Sequence, residues 1–248
     1  MGVRVERAGS AAIVVLDWPE QRNAIGPEEA IEITEALREV ALSAEVCGVV
    51  LTGNGAFCAG GNLKGMAERS GMSEDERRSL VYGAYQGLIR TIVDTPVTTI
   101  AAVDGPAVGL GFDLALACDS RFVGPDGWCQ QGWGKLGLIG GTGGELLLRL
   151  RAPGTLWALL EDQPRLHGDT MEQLGLGEVV HDAIARDRAV ERVDKLAAMS
   201  REAIQAYVDL SRSDLRARFD EYLARALDHQ VRLLTSPGFQ ERVARARG

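Results

Sequence analysis

The spacing of apolar positions along this chain changes between a strand-like and a helix-like period, and each change marks an element. Residues 11–17 (AAIVVLD) form a short β-branched run that stops at Trp18-Pro19, where proline cannot donate to a sheet ladder. They predict a first strand. After a polar turn at 21–26, Pro27 stands at a first helical position, and Ile31, Ile33, Leu37 and Val40 keep near-helical spacing to about residue 43. Residues 47–52 form the next apolar run, so the order is β-α-β with a right-handed crossover expected. Ser73-Glu74-Asp75-Glu76 fits a capping box ahead of a long helix reaching about residue 93, with a mobile loop expected at 66–71. Residues 97–103 predict a third strand and 120–123 a short fourth. This alternation argues the α/β class.

After Gly144 the strands largely stop. Residues 145–150, 155–161, 187–199, 201–210 and 214–234 each read as a helix, the last with Leu215, Phe219, Tyr222, Leu223 and Leu227 near 3.6 spacing. Such a tail packs its apolar faces on its own domain or on another subunit.

Composition narrows the picture. At 248 residues and 46% hydrophobic, the chain is long enough to bury one full core. Glycine is over-represented, 30 residues against an average of roughly 7%, and it clusters at 105–111 and 132–144, where backbone must turn or approach closely. A net charge of -8 disfavours general affinity for nucleic acid or an anionic membrane. No apolar run reaches the roughly 20 residues of a membrane span, and residues 1–10 carry charges where a signal peptide would be apolar. Cytoplasmic residence is expected. Cys47, Cys58, Cys118 and Cys129 form no C-x-x-C pair and read as reduced, mostly buried thiols. His167, His181 and His229 are scattered, so a bound metal is not expected.

Candidate chemistry lies in residues 101–119 (AAVDGPAVGLGFDLALACD), which read as strand, glycine loop and helix start. First-turn N–H groups have no helical partner and favour an oxygen that carries negative charge. Asp113 follows Leu110 by three residues, close to one helical turn. Residues 56–64 (AFCAGGNLK) repeat the arrangement after the strand at 48–51. Two such turns would each point one N–H at a single carbonyl oxygen, with Asp113 as an adjacent base. The blander readings are an acid that only complements the helix dipole, worth roughly 0.3–1 kcal/mol, tight helix packing for Gly140 to Gly144, and a structural role for Cys58.

Four blocks in order, IVVLDWPEQRNAI (13–25), GVVLTGNGAFCAGGNLK (48–64), TIAAVDGPAVGLGFDLALACDSRF (99–122) and KLGLIGGTGGELLLRL (135–150), resemble the enoyl-CoA hydratase/isomerase (crotonase) superfamily. The resemblance implies an α/β crotonase (ClpP-like) fold of repeated ββα units with a C-terminal helical region. It divides the chain into a core at 1–190 with a CoA-ester site and a trimerisation region at 191–248. It implies an enzyme of fatty acid metabolism acting on an acyl-CoA thioester, with no cofactor beyond the coenzyme A of the substrate, assembled as a homotrimer or dimer of trimers, with no nucleic acid or membrane partner. The oxyanion donors fall on the N–H groups of Gly61 and Leu110. Arg22 and Lys64 fall where the family contacts the CoA nucleotide, and Ala24, Ala59 and Asn62 on the substrate wall.

Asp113 matches the first acid/base position of the hydratases, one methylene shorter than their usual glutamate. Trp133 stands where they carry the second, and reads as a pocket wall because indole cannot act as a base. Hydration is concerted with two carboxylates; one carboxylate suits double-bond isomerisation, hydrolysis or decarboxylation. Glu145, Glu68 and Asp126 are alternative acids without a motif. Gly141 replaces the aspartate that family dehalogenases need. The expectation is an enolate-stabilising enoyl-CoA hydratase/isomerase-type enzyme with Asp113 moving the proton; the alternatives are a β-diketone or β-keto thioester C–C hydrolase and a catalytically silent scaffold.

Overall fold

The computed structural model of the chain describes residues 1–236 and 238–247. Its main sheet has six strands in the order β1 (Gly2–Ala8), β2 (Ala11–Asp17), β3 (Gly48–Gly53), β4 (Thr98–Val103), then β6 (Ser120–Val123) and β9 (Glu178–Val179). All neighbours from β2 onward are parallel, with Ala11 opposite Gly48 and Gly48 opposite Thr98. Parallel strands buried on both faces need mostly apolar residues on both, which is why β2 reads as a near-continuous apolar run and β4 as one after Thr98 and Thr99. Ala12, Val14 and Leu16 face one cluster with α1 (Pro27–Leu42), α4 (Gly83–Asp94) and α5 (Leu110–Ala117). Ala11, Ile13 and Val15 face the other, with Ala189 and Val193 of α9 (Ala185–Ala197). A second sheet joins β5 (Pro106–Val108), β7 (Trp128–Gln130) and β8 (Leu166–His167).

The remaining helices are α2 (Leu63–Glu68), α3 (Glu74–Glu76), α6 (Gly144–Arg151), α7 (Leu156–Glu161), α8 (Gly168–Gln173), α10 (Arg201–Leu234) and α11 (Phe239–Arg247). The capping box forms as read: Ser73 Oγ accepts the Glu76 N–H at 3.2 Å, and Glu76 Oε2 accepts the Ser73 N–H at 2.8 Å. A π turn at Arg77–Tyr82 carries α3 on into α4.

Several expectations are corrected. β1 was not foreseen, because an edge strand with Arg4 and Glu6 in it lacks an apolar run. Ile31 is half exposed, and Ala30 and Thr34 take the buried face of α1 instead. Residues 66–71 are helical where a loop was expected: α2 runs into a 3-10 turn at Arg69–Gly71, and Asn62 Oδ1 accepts the Gly65 N–H at 3.0 Å to cap it. The helices at 201–210 and 214–234 are one, since the hydroxyls of Ser211 and Ser213 donate back to the carbonyls of Val208 and Leu210 without breaking the ladder. Residue 190 falls within α9, whose Ala189 and Val193 pack on the main sheet. The helical tail is α10 with α11.

Candidate active site

Glycine lets the two turns touch. Cys58 pairs with Ala107 as a parallel bridge, its N–H donating to Pro106 O at 3.0 Å and its carbonyl accepting from Val108 N at 2.9 Å. A Cβ on Gly111 would lie 2.2 Å from the Cys58 carbonyl oxygen, and one on Gly60, whose φ is +104°, 2.7 Å from that of Val108. The same Gly60 Cβ would stand 3.9 Å from the Leu110 nitrogen, so the second turn lies directly against the start of α5. Ile25 bonds Gly60 O and Asn62 N on either side of Gly61. The first helical bond of α5 is Asp113 N to Gly109 O at 2.9 Å. Among the described residues, the N–H groups of Gly61 and Leu110 therefore enter no backbone hydrogen bond.

Both residues line one cavity of about 410 Å³, together with Arg22, Ala59 and Trp133. The structure thus brings five of the sequence-predicted positions together. It adds Trp128, Lys135 and Arg165, with the Arg165 guanidinium 4.5 Å over the Trp128 ring. Trp128 and Arg165 had no motif to reveal them, and pairing of β7 with β8 makes them neighbours; Lys135 follows Trp133 by two residues and opens the block at 135–150. Ala24, Asn62 and Lys64 are not among the lining residues. Asn62 caps α2, the Ala24 carbonyl accepts from Gln21 Nε2 at 2.7 Å, and Lys64 is exposed.

Asp113 is 2% exposed and stands behind Trp133, outside the cavity lining. Its Oδ2 accepts two hydrogen bonds, from Thr142 Oγ1 at 2.6 Å and from Trp133 Nε1 at 3.1 Å. A Cβ on Gly144 would fall 1.9 Å from Oδ1, and one on Gly140 3.2 Å from Oδ2. The cluster Gly140 to Gly144 is therefore a cradle for this carboxylate, which matches the tight-packing reading. Burial pushes the Asp113 carboxyl up to about 7, against the two hydrogen bonds that lower it. Its folded value lies above the unfolded one near 3.8. The folded state then binds the extra proton, so the stability from this group is full below the unfolded value and is lost as pH rises through about 7. Asp113→Asn, which cannot ionise, is expected to gain melting temperature relative to wild type at pH 8.5 compared with pH 5.5; an equal difference at both would show that Asp113 titrates normally.

None of the alternative acids lines the cavity. Glu145 is half-buried and pairs with Arg149 at 3.0 Å, while Glu68 and Asp126 are exposed. Cys58 is fully buried, burial pushes its thiol up to about 12, and it remains a thiol at neutral pH. Cys118 and Cys129 are likewise buried and free.

A parallel sheet covered on both faces, with two glycine turns pressed together at one cavity and a helical tail, is the architecture of a crotonase-fold protein. The structure superposes on an enoyl-CoA hydratase from Bacillus halodurans with a TM-score of 0.91, at 21% identity and covering 99% of this chain and all of that one. The family model described as enoyl-CoA hydratase/isomerase matches residues 6–247, and the chain belongs to that enzyme family. It is 30% identical over 249 residues to a probable enoyl-CoA hydratase, EchA14, of Mycobacterium tuberculosis, covering 95% of this chain and 93% of the relative. It is also 28% identical to EchA1_1 of Mycobacterium paratuberculosis, with a TM-score of 0.85 over the whole of this chain and 96% of that structure.

Proposed function

We propose that this chain binds an acyl-CoA thioester in the 410 Å³ cavity and stabilises its enolate through the N–H groups of Gly61 and Leu110. One observation carries the reading: two glycine turns, each with an N–H that enters no backbone hydrogen bond among the described residues, meet at the same cavity. As the α-proton leaves, charge grows on the carbonyl oxygen, and donors fixed in a water-poor site stabilise it. Arg22, Lys135 and Arg165 around the cavity suit the phosphates of CoA on a chain whose net charge is -8, and Lys64 is exposed nearby in sequence to Gly61. No cofactor beyond that coenzyme A is called for.

Asp113 is the proposed proton-transfer group, reaching the substrate after the Trp133 indole turns aside. Its near-neutral titration suits a group that takes a proton at one carbon and returns it at another. Trp133 fills the place of a second carboxylate, and this favours isomerisation or another one-base reaction over hydration. The second reading is a scaffold that binds thioesters without turnover; it is favoured by the lack of any carboxylate among the described cavity-lining residues. Exposed Trp157, Tyr207 and Leu210 support self-association into a trimer or dimer of trimers. No helix among the described residues is long and apolar enough to cross a membrane, and cytoplasmic residence is part of the proposal.

The test incubates the protein with a short 2-enoyl-CoA and its 3-enoyl isomer in D₂O, following hydration by absorbance and exchange by mass spectrometry. Deuterium entering without water addition, and absent with Asp113→Asn, is the expected result. Rapid hydration would refute the one-base assignment. Binding with neither reaction would leave the scaffold, or a hydrolase acting on β-keto thioesters.

A further inference from the structure

Beside the main cavity lies a second, small one of about 30 Å³, bounded by Met66, Arg69, Arg77, Tyr82, Leu234 and Phe239. Met66 lines both cavities. Its terminal methyl sits where a Cβ on Gly61 would be only 2.9 Å away, so this one flexible side chain separates the proposed oxyanion turn from the inner space.

The inner cavity is mostly apolar, with two arginines in its lining. Arg69 lies one helical turn beyond Gly65, and its guanidinium folds back over that glycine, where a Cβ would meet Nη2 at 2.9 Å and Nη1 at 3.0 Å. Nη2 of Arg69 is buried and has no hydrogen-bond partner among the described residues. A buried guanidinium nitrogen without an acceptor is unfavourable, and such a group in a native structure calls for an explanation, an incoming acceptor being one. Arg77 is also in the lining, and no carboxylate is among the described residues that line the space. The Tyr82 hydroxyl accepts from Gln230 Nε2 at 2.8 Å and receives no hydrogen bond from Arg69 Nη2.

Resting on the acyl-CoA reading above, the geometry points to a substrate class: a short acyl thioester whose far end carries a carboxylate, received by Arg69 once Met66 swings aside. Met66, Leu234 and Phe239 cover the methylenes between the thioester and that carboxylate. Arg69 presents parallel N–H donors that a carboxylate oxygen pair can accept, which an uncharged chain end cannot. A site with buried donors rejects a ligand that leaves them unpaired, so the same residue that accepts an acid disfavours a plain alkyl chain.

Saturated thioesters bind without turnover and isolate recognition. Dissociation constants are measured by calorimetry for four-, five- and six-carbon acyl-CoA esters, each with and without a terminal carboxylate. In the wild type, the carboxylated member of at least one pair is expected to bind at least tenfold more tightly. Arg69→Met should invert the order, weakening the carboxylated ester at least tenfold and strengthening the uncharged one; Arg69→Lys should keep part of the preference. Circular dichroism confirms folding, and tighter binding of the uncharged ester shows that the variant site is intact. Absence of a preference at every length, or a preference that survives Arg69→Met, overturns the inference alone. If no acyl-CoA ester of either kind binds the wild type, the acyl-CoA reading fails and takes this inference with it.

Discussion

Replacing Leu110 with proline lowers acyl-CoA turnover about 100- to 1000-fold, the loss of about 2.7 to 4 kcal/mol expected for one oxyanion donor. A side-chain change cannot normally delete a backbone N–H, but proline does. Leu110 is the first residue of α5, the position where a helix has no use for that N–H and where proline is best tolerated. Leu110 is also fully buried, so part of any effect comes from lost packing. Leu110→Ala supplies the comparison: it shares the packing loss and keeps the donor. Steady-state kcat of the two variants, with unfolding midpoints measured alongside, separates the terms. Equal kcat for the proline and alanine variants would mean that this N–H does not touch the reacting carbonyl.

The largest loss of stability is expected at Arg212. This α10 side chain is 3% exposed and donates to both carboxylate oxygens of Asp119, at 2.8 and 2.5 Å. It also donates to the carbonyls of Val93 at 3.0 Å, Thr95 at 2.5 Å and Val97 at 3.2 Å, where α4 ends and β4 begins. One guanidinium thus fastens the tail helix to the core. Removing one partner strands a mostly buried carboxylate and several carbonyls, which typically costs about 3–5 kcal/mol. Arg212→Met should show this as a lower urea midpoint. Burial pushes the Asp119 carboxyl up, but the Arg212 hydrogen bonds and charge outweigh it and hold it below its usual value. Its folded value is depressed, so its contribution is present above the unfolded value and lost as pH falls through the folded one. The variant should lose that acid-side decline. A change within 0.5 kcal/mol would show that the cluster is not fastening the tail.

What the sequence made legible follows from burial. Strands β2 and β4 are covered on both faces, and α1 and α4 pack one face on the core, so their periods could be read; β1 lies at an edge and carries charges. The ranges 201–210 and 214–234 read as two helices, but the helix runs unbroken and the hydroxyls of Ser211 and Ser213 donate to carbonyls within it. The two glycine turns were readable because close backbone approach demands glycine, and Gly60 and Gly111 prove to be the points of contact. Arg165 was not readable, since long-range strand pairing brings it to the cavity. The substitution of Trp133 was visible in the sequence. Its consequence was not: a side chain 20 positions away from Asp113 donates a hydrogen bond to it and stands between it and the cavity.

The central claim is that a thioester carbonyl sits between the N–H groups of Gly61 and Leu110. The most direct measurement is difference infrared spectroscopy of a saturated acyl-CoA labelled with ¹³C at that carbonyl, free and bound. Two N–H donors draw electron density onto the oxygen and weaken the C=O bond. The account predicts a band shifted to lower frequency on binding to the wild type, with a smaller shift on binding to Leu110→Pro. A bound thioester whose carbonyl band stays at the frequency of the free ester would contradict it.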